Sequence, residues 1–286
     1  MNTELSTLPV RKILVDLSQG FERHWFCDAN GKPDAFRTHY LNAMSMSFPS
    51  GEQYFIDSVR AVQHRLTDSP EHTRLKSLIN DFAAQEATHR HVHSLMNAQL
   101  EKQGLRNAWE PRTLARIARF AWMNPLHHLA MTAAYEHYTS VMSSMMLRHE
   151  SLTQGMSPAM RSLWRWHAME ETEHKAVAFD VYQAVSGHVG WRRRWFAFAM
   201  FAFAMDCTRQ TVNNLWRDGS LFKPSTWGSA LQFFFGRPSR GGGWIWLIAK
   251  PLLSYWRKDF HPNDHDSSEA VQRYAQTHAQ EWRLIR

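Results

Sequence analysis

Two stretches of the chain place a glutamate three residues before a histidine: Glu86-Ala87-Thr88-His89 and Glu171-Thr172-Glu173-His174. On a helix that spacing stacks carboxylate and imidazole one turn apart on the same face. Both groups bind divalent transition metals, so a repeated pair of this kind points to metal chemistry rather than to solvated surface. Two single glutamates, Glu52 and Glu136, lie in other segments, and Glu136 stands in Ala133-Ala134-Tyr135-Glu136-His137-Tyr138, small and aromatic surroundings that a surface glutamate does not need. Nine of the 17 histidines fall between His89 and His174. His167 precedes Glu171 by four residues, giving His-x-x-x-Glu-x-x-His, and reads either as a seventh ligand or as a hydrogen-bond partner of one. His93 reads as such a partner, and His91, His127, His128 and His137 as packing or surface residues. Glu170 competes with Glu171, although only Glu171 keeps the three-residue step to His174.

The elements that must position these residues are marked by their ends. Ser69-Pro70, Asn124-Pro125 and Ser157-Pro158 each pair a capping side chain with a proline suited to the first helical position. Gly104, Gly155 and Gly187 suit left-handed C-terminal caps. Helices are therefore expected at about 70–103, 125–151 and 158–186. Another is expected to start after Phe48-Pro49-Ser50-Gly51, with Ser50 and Gln53 as a capping box, and to run to about Leu66. That places Glu52 in a first turn, where complementing the helix dipole is a competing role. One glutamate from each of two helices, plus Glu-x-x-His from each of two others, is the ligand set of di-iron and di-manganese carboxylate bundles. Two ions close together repel, and four carboxylates nearly balance their charge; without metal those carboxylates would repel and perturb one another's pKa values.

The expected fold is all-α: a ferritin-like four-helix bundle over 48–186 with additional N- and C-terminal helices. Residues 1–47 read as one or two short helices packed on the bundle, with Asp34 as a cap. Residues 187–286 read as an extension of the same domain. It holds a helix over about 190–217, an irregular glycine- and proline-rich stretch, a short apolar helix over 244–256, and a polar helix from Ser267 or Ser268 to Arg286. A short helix is expected over 111–122.

Composition narrows the class. Apolar residues make up 44% and charged residues 21%, which excludes a disordered or collagen-like chain. Two cysteines, Cys27 and Cys207, exclude a disulfide framework and fit a reducing cytoplasm. The formal charge of +7 comes without a zinc-finger, helix-turn-helix or RNP pattern, so no nucleic-acid partner is expected. Met1 to Lys12 lacks the apolar core of a secretory signal, and the longest apolar run, Trp195 to Met205, is too short to span a bilayer. Trp191-Arg192-Arg193-Arg194-Trp195, and the helix over 244–256 followed by Arg257-Lys258, pair aromatic with basic residues as interfacial segments do; packing as lids on the bundle is the competing reading.

The ligand pattern resembles the ferritin-like di-iron superfamily. Phe48-Pro49-x-Gly51-Glu52, Glu86-x-x-His89, His167-x-x-Glu170-Glu171-x-Glu173-His174-Lys175 and Phe260-His261-Pro262 resemble a bacterial family of predicted metal-dependent hydrolases, over roughly residues 35–265. The step from His167 through Glu171 to His174 is similar to that of di-iron arylamine N-oxygenases. Residue by residue, the resemblance implies Glu52, Glu86, His89, Glu136, His167, Glu171 and His174 as metal ligands. It implies two iron ions, with manganese or a mixed Mn/Fe pair as alternatives. The expected activity is a non-haem di-iron oxidase or oxygenase acting on a small, apolar or lipid-like substrate, with dioxygen and an external electron donor. The alternatives are a binuclear metal-dependent hydrolase and a ferritin-like metal-binding or oxidant-scavenging protein. Peripheral membrane contact and a homodimer are compatible with the sequence.

Overall fold

A computed structural model describes residues 7–285. The fold is all-α with one small two-stranded sheet. The helices are α1 (Ala35–Val62), α2 (Pro70–Lys102), α3 (Trp109–Phe120), α4 (Pro125–Arg148), α5 (Pro158–Glu173), α6 (Val177–Val185), α7 (Val189–Asp218), α8 (Pro224–Phe235), α9 (Trp244–Ser254) and α10 (Ser268–Thr277). The strands β1 (Arg11–Ile13) and β2 (Trp282–Leu284) pair antiparallel, with Lys12 opposite Arg283. Expectations for Met1 to Ser6 and for Arg286 fall outside the described residues.

Helices α1, α2, α4 and the α5–α6 pair surround the centre. Their apolar residues form two separate clusters, and the switch between clusters falls at the same level on each. On α1 it lies between Met46 and Phe55, on α2 between Phe82 and Val92, on α4 between Ala134 and Tyr138, and on α5–α6 between Met169 and Val177. Glu52, Glu86, His89, Glu136, Glu171 and His174 fall within these intervals, and His167 lies just before Met169. The two dry clusters fix the height of this layer, because burying their apolar surface supplies the main driving force for packing.

Several expectations need correction. The first bundle helix starts at Ala35, not after Gly51, and Asp34 caps it by accepting from the Arg37 N–H. Ser50 is therefore mid-helix, with Oγ bonded to the Ser47 carbonyl, and forms no capping box. Pro49 is accommodated because the carbonyl four residues back, on Ser45, accepts instead from Asn97 Nδ2 at 3.0 Å. Residues before 35 contribute β1 rather than helices. The helix expected over 158–186 breaks at His174, and α6 resumes at Val177. The stretch read as irregular contains α8, and the C-terminal helix stops at Thr277 and gives way to β2. Gly155 has no positive φ. Its carbonyl accepts from the Cys27 N–H, and a Cβ there would lie 2.0 Å from the Cys27 carbonyl oxygen. Gly104 and Gly187 do take left-handed conformations.

Candidate metal centre

All seven expected ligands are at most 3% exposed. Six fall in the layer between the clusters, and His167 reaches it from one turn earlier on α5. Glu136 Oε2 lies 3.0 Å from His174 Nδ1, the nitrogen opposite the one near Glu86 and Glu171. Glu52 comes from α1, Glu86 and His89 from α2, Glu136 from α4, His167 and Glu171 from α5, and His174 from the break after α5. Glu52 lies mid-helix, so the dipole role does not apply to it. Glu171 is central. Its Oε1 lies 3.0 Å from His167 Nε2, 3.6 Å from His89 Nδ1 and 3.7 Å from His174 Nε2. His174 Nε2 is 3.5 Å from Glu86 Oε1, His89 Nδ1 is 3.9 Å from Glu86 Oε2, and His167 Nε2 is 3.9 Å from Glu52 Oε1.

Most of these separations exceed hydrogen-bond length. They fit within the span of about 4.2 Å between two atoms bound to one ion at about 2.1 Å each. Among the described residues, both oxygens of Glu52 and Glu86, Glu136 Oε1, Glu171 Oε2, His89 Nδ1 and His174 Nε2 are buried without a hydrogen-bond partner. So many orphaned acceptors in one layer would be costly unless something positive sits among them. Among the described residues three groups have ligand-capable atoms within metal-holding distance: Glu86–His89–Glu171–His174 and Glu52–His93–His167 here, joined by the His167–Glu171 contact, and His24–His39–Asp218 away from this layer.

The outer atoms are held by Glu170 and His93, backed by Arg11, Ser45 and Asn97, which the sequence did not single out. His89 Nε2 bonds Glu170 Oε2 at 3.0 Å, and Glu170 Oε1 accepts from the Arg11 backbone N–H at 3.1 Å and its guanidinium at 3.3 Å. Arg11 also grips Glu173 through two bonds of 2.8 Å, and Gln85 donates to the same carboxylate. Glu170 therefore holds the outer nitrogen of His89 and leaves Nδ1 facing inward. This separates the roles of Glu170 and Glu171 that the sequence left open. His93 Nε2 meets His167 Nδ1 at 2.6 Å, and its Nδ1 meets Ser45 Oγ at 2.9 Å. Ser45 Oγ donates to Asn97 Oδ1. Both His93 nitrogens are thus occupied, and it acts as the partner that orients His167. Arg11 was unreadable from sequence because it reaches Glu170 from a strand far away in the chain.

Electrostatics agree with a site that expects cations. Burial, with Glu171 and Glu136 nearby, holds Glu52 well above the usual carboxylate range. Burial and the carboxylates of Glu171 and Glu136 do the same to Glu86. Burial pushes Glu136 up to about 7 against the pull of His174. Burial would raise Glu171 too, but His174, His167 and His89 hold it well below the usual range. Burial opposes charge on His89, yet Glu170 and Glu171 outweigh it and raise the imidazole to about 10. Burial brings His167 down to about 4. Without metal, protons and charged imidazoles take the place of cations.

An apolar cavity of about 90 Å³ abuts the layer at Glu52. Phe48, Phe55, Ile117, Phe198 and Phe203 line it, and Arg116 in its wall is already bonded to Asp206. The remaining histidines mostly pack: His137 stacks on Tyr255, His127 accepts from Trp195, and His128 pairs with Tyr54. His24 and His39 meet Asp218 at the end of α7, where Arg23 already matches that carboxylate at 2.7 Å.

The fold and this layer define an all-α protein with buried carboxylate–histidine groups suited to metal ions. The chain belongs to the family described as predicted metal-dependent hydrolases, which matches residues 9–266. Comparison with curated proteins gave no match, and neither did comparison with solved structures.

Proposed function

We propose that the chain is a dinuclear metalloenzyme whose two ions would be held by Glu52, Glu86, His89, Glu136, His167, Glu171 and His174. The observation that carries this reading is the layer of orphaned carboxylate oxygens and inward-facing imidazole nitrogens, separated by distances that suit ions better than hydrogen bonds. A pair of iron ions would supply activation of dioxygen; manganese or a mixed pair fits the same donors.

The chain's own residues prepare the chemistry. The helices exclude water from the layer, Arg11 and Glu170 fix His89, and the His93–Ser45–Asn97 network fixes His167. The apolar cavity at Glu52 would receive a small, apolar or lipid-like substrate. Oxidation of such a substrate would need dioxygen and an external electron donor as co-substrates.

Hydrolysis of a substrate in the same cavity is the second reading, and the family's description favours it. In that case the ions would activate water as the nucleophile.

Metal analysis tests the site. Wild type should bind about two ions per chain, and Glu136→Ala and His174→Ala should each bind fewer. Full metal content in both variants refutes the assignment. Oxygen consumption by the reduced, iron-loaded chain, measured beside ester hydrolysis on one substrate panel, separates the chemistries. Hydrolysis without oxygen consumption would leave the family's reading standing and remove the oxidase.

A further inference from the structure

From Gly219 to Lys258 the sequence contains Lys223, Arg237, Arg240, Lys250, Arg257 and Lys258, and no aspartate or glutamate. These six cations nearly equal the net charge of +7 on the whole chain. The same segment carries large apolar side chains on the outside of the molecule. Phe222 is 81% exposed, Leu231 65% and Trp246 63%, and Trp227, Phe235, Leu253 and Trp256 are exposed as well.

These residues are arranged, not scattered. Trp227, Leu231 and Phe235 are four apart and form one stripe along α8. Trp246 and Leu253 are seven apart on α9, with Lys250 between them on the same side. The Trp246 and Phe235 rings lie 6.2 Å apart and join the two stripes. A third stripe, Phe201, Met205 and Trp216, runs along α7 and meets Phe222 through the Trp216 ring at 6.0 Å. Two of the exposed tryptophans have their polar atom satisfied internally. Trp246 Nε1 donates to the Phe235 carbonyl at 3.1 Å, and Trp227 Nε1 to the Leu221 carbonyl at 2.8 Å. Their ring faces therefore point outward with no N–H left that needs water.

A contiguous apolar face of this kind is costly in water and marks a binding surface. Arg257 is paired with the adjoining Asp259 at 2.6 Å, but a two-fold pairing of identical copies would still bring Lys223, Arg237, Arg240, Lys250 and Lys258 together with no acid in the segment to relieve them. An anionic surface meets both the aromatic stripes and the charge. The helices concerned have 12 and 11 residues, and among the described residues no helix is long and apolar enough to cross a membrane. They suit lying in the headgroup plane.

We propose that α8, α9 and the outer stripe of α7 seat the protein on an anionic lipid bilayer, with Trp227, Phe235 and Trp246 entering the interface and Lys223, Arg237, Arg240, Lys250 and Lys258 facing acidic headgroups. Arg192, by contrast, is buried and stacked against Tyr255, Phe260 and Phe179, so it belongs to the packing and not to the lipid face. The proposal stands on its own observations and does not depend on the metal centre being catalytic.

Co-sedimentation of the full chain with phosphatidylglycerol–phosphatidylcholine vesicles tests it, against vesicles of phosphatidylcholine alone. Binding should require the anionic lipid and weaken with salt. It should fall at least about tenfold in Trp227→Ser/Trp246→Ser and in Arg240→Glu/Lys250→Glu, with circular dichroism and metal content unchanged. A wild-type chain that stays in the supernatant overturns the proposal. So does a dimer in light scattering that the tryptophan variant dissociates while vesicles remain unbound, since the face would then join two copies. Equal binding to neutral vesicles would refute the role of the cations.

Discussion

Glu170 and Glu171 are adjacent in sequence and face opposite tasks. Glu171 enters the ligand layer, whereas Glu170 turns to His89 Nε2 and Arg11. The three-residue step to His174 pointed to Glu171, the carboxylate that lies nearest His89 Nδ1, His167 Nε2 and His174 Nε2 in the layer. The task of Glu170 was not legible, because it depends on an arginine brought from a distant strand. Glu170→Gln should therefore keep the fold and lower metal affinity roughly 10–100-fold by loosening the orientation of His89; isothermal titration of the metal-free protein measures it, and unchanged affinity would show that His89 needs no such anchor. The metal-free protein should also respond to pH. The folded pKa of His89, about 10, lies above its ordinary 6.5. The stability it contributes is fully present below pH 6.5 and is lost as pH rises through about 10. Glu52 and Glu86, also raised, act in the same direction. The melting temperature of the metal-free chain should fall between pH 7 and 10, and metal loading should flatten that slope.

Among the elements, α1 was the one most misjudged, and its physics explains why. Proline after a possible cap ordinarily marks a helix start, so Phe48-Pro49-Ser50-Gly51 read as a beginning. The helix continues because Asn97 on α2 takes over the Ser45 carbonyl that Pro49 cannot satisfy. Such a rescue depends on a neighbouring helix and is invisible along the chain. The break at His174 was equally hidden, since the sequence there has neither proline nor glycine. By contrast, Ser69 and Asn124 cap α2 and α4 as expected, because their bonds are local. Asn97→Ala would leave the Ser45 carbonyl unpaired and release Ser45 Oγ from its acceptor. A loss of about 1–3 kcal/mol in denaturant unfolding is expected for that buried vacancy. Metal binding should weaken as well, because His93 and through it His167 lose their support. A variant that loses stability but binds metal normally would confine Asn97 to repairing α1.

At the scale of the whole molecule, β1 and β2, from opposite ends of the described residues, pair beside the carboxylate–histidine layer. β2 holds β1 in place, the Leu14 N–H bonds the Glu281 carbonyl, and the Ile285 N–H bonds the Val10 carbonyl. Arg11 sits on the strand so held, with its guanidinium 6.0 Å from the Trp282 ring and its bonds directed to Glu170 and Glu173. A bundle assembled from four helices is therefore completed by a sheet that no local pattern announced, because three-residue strands carry too little periodicity to read. The coupling has a testable form. Removing residues 282–286 should free β1 and weaken metal binding, and Arg11→Ala should weaken it through the same contact to Glu170. If both act through one path, the double variant should bind metal no more weakly than the worse single variant, as expected for residues sharing a network. Additive losses in a double-mutant cycle on metal affinity would show that β2 supports the site by a route other than Arg11.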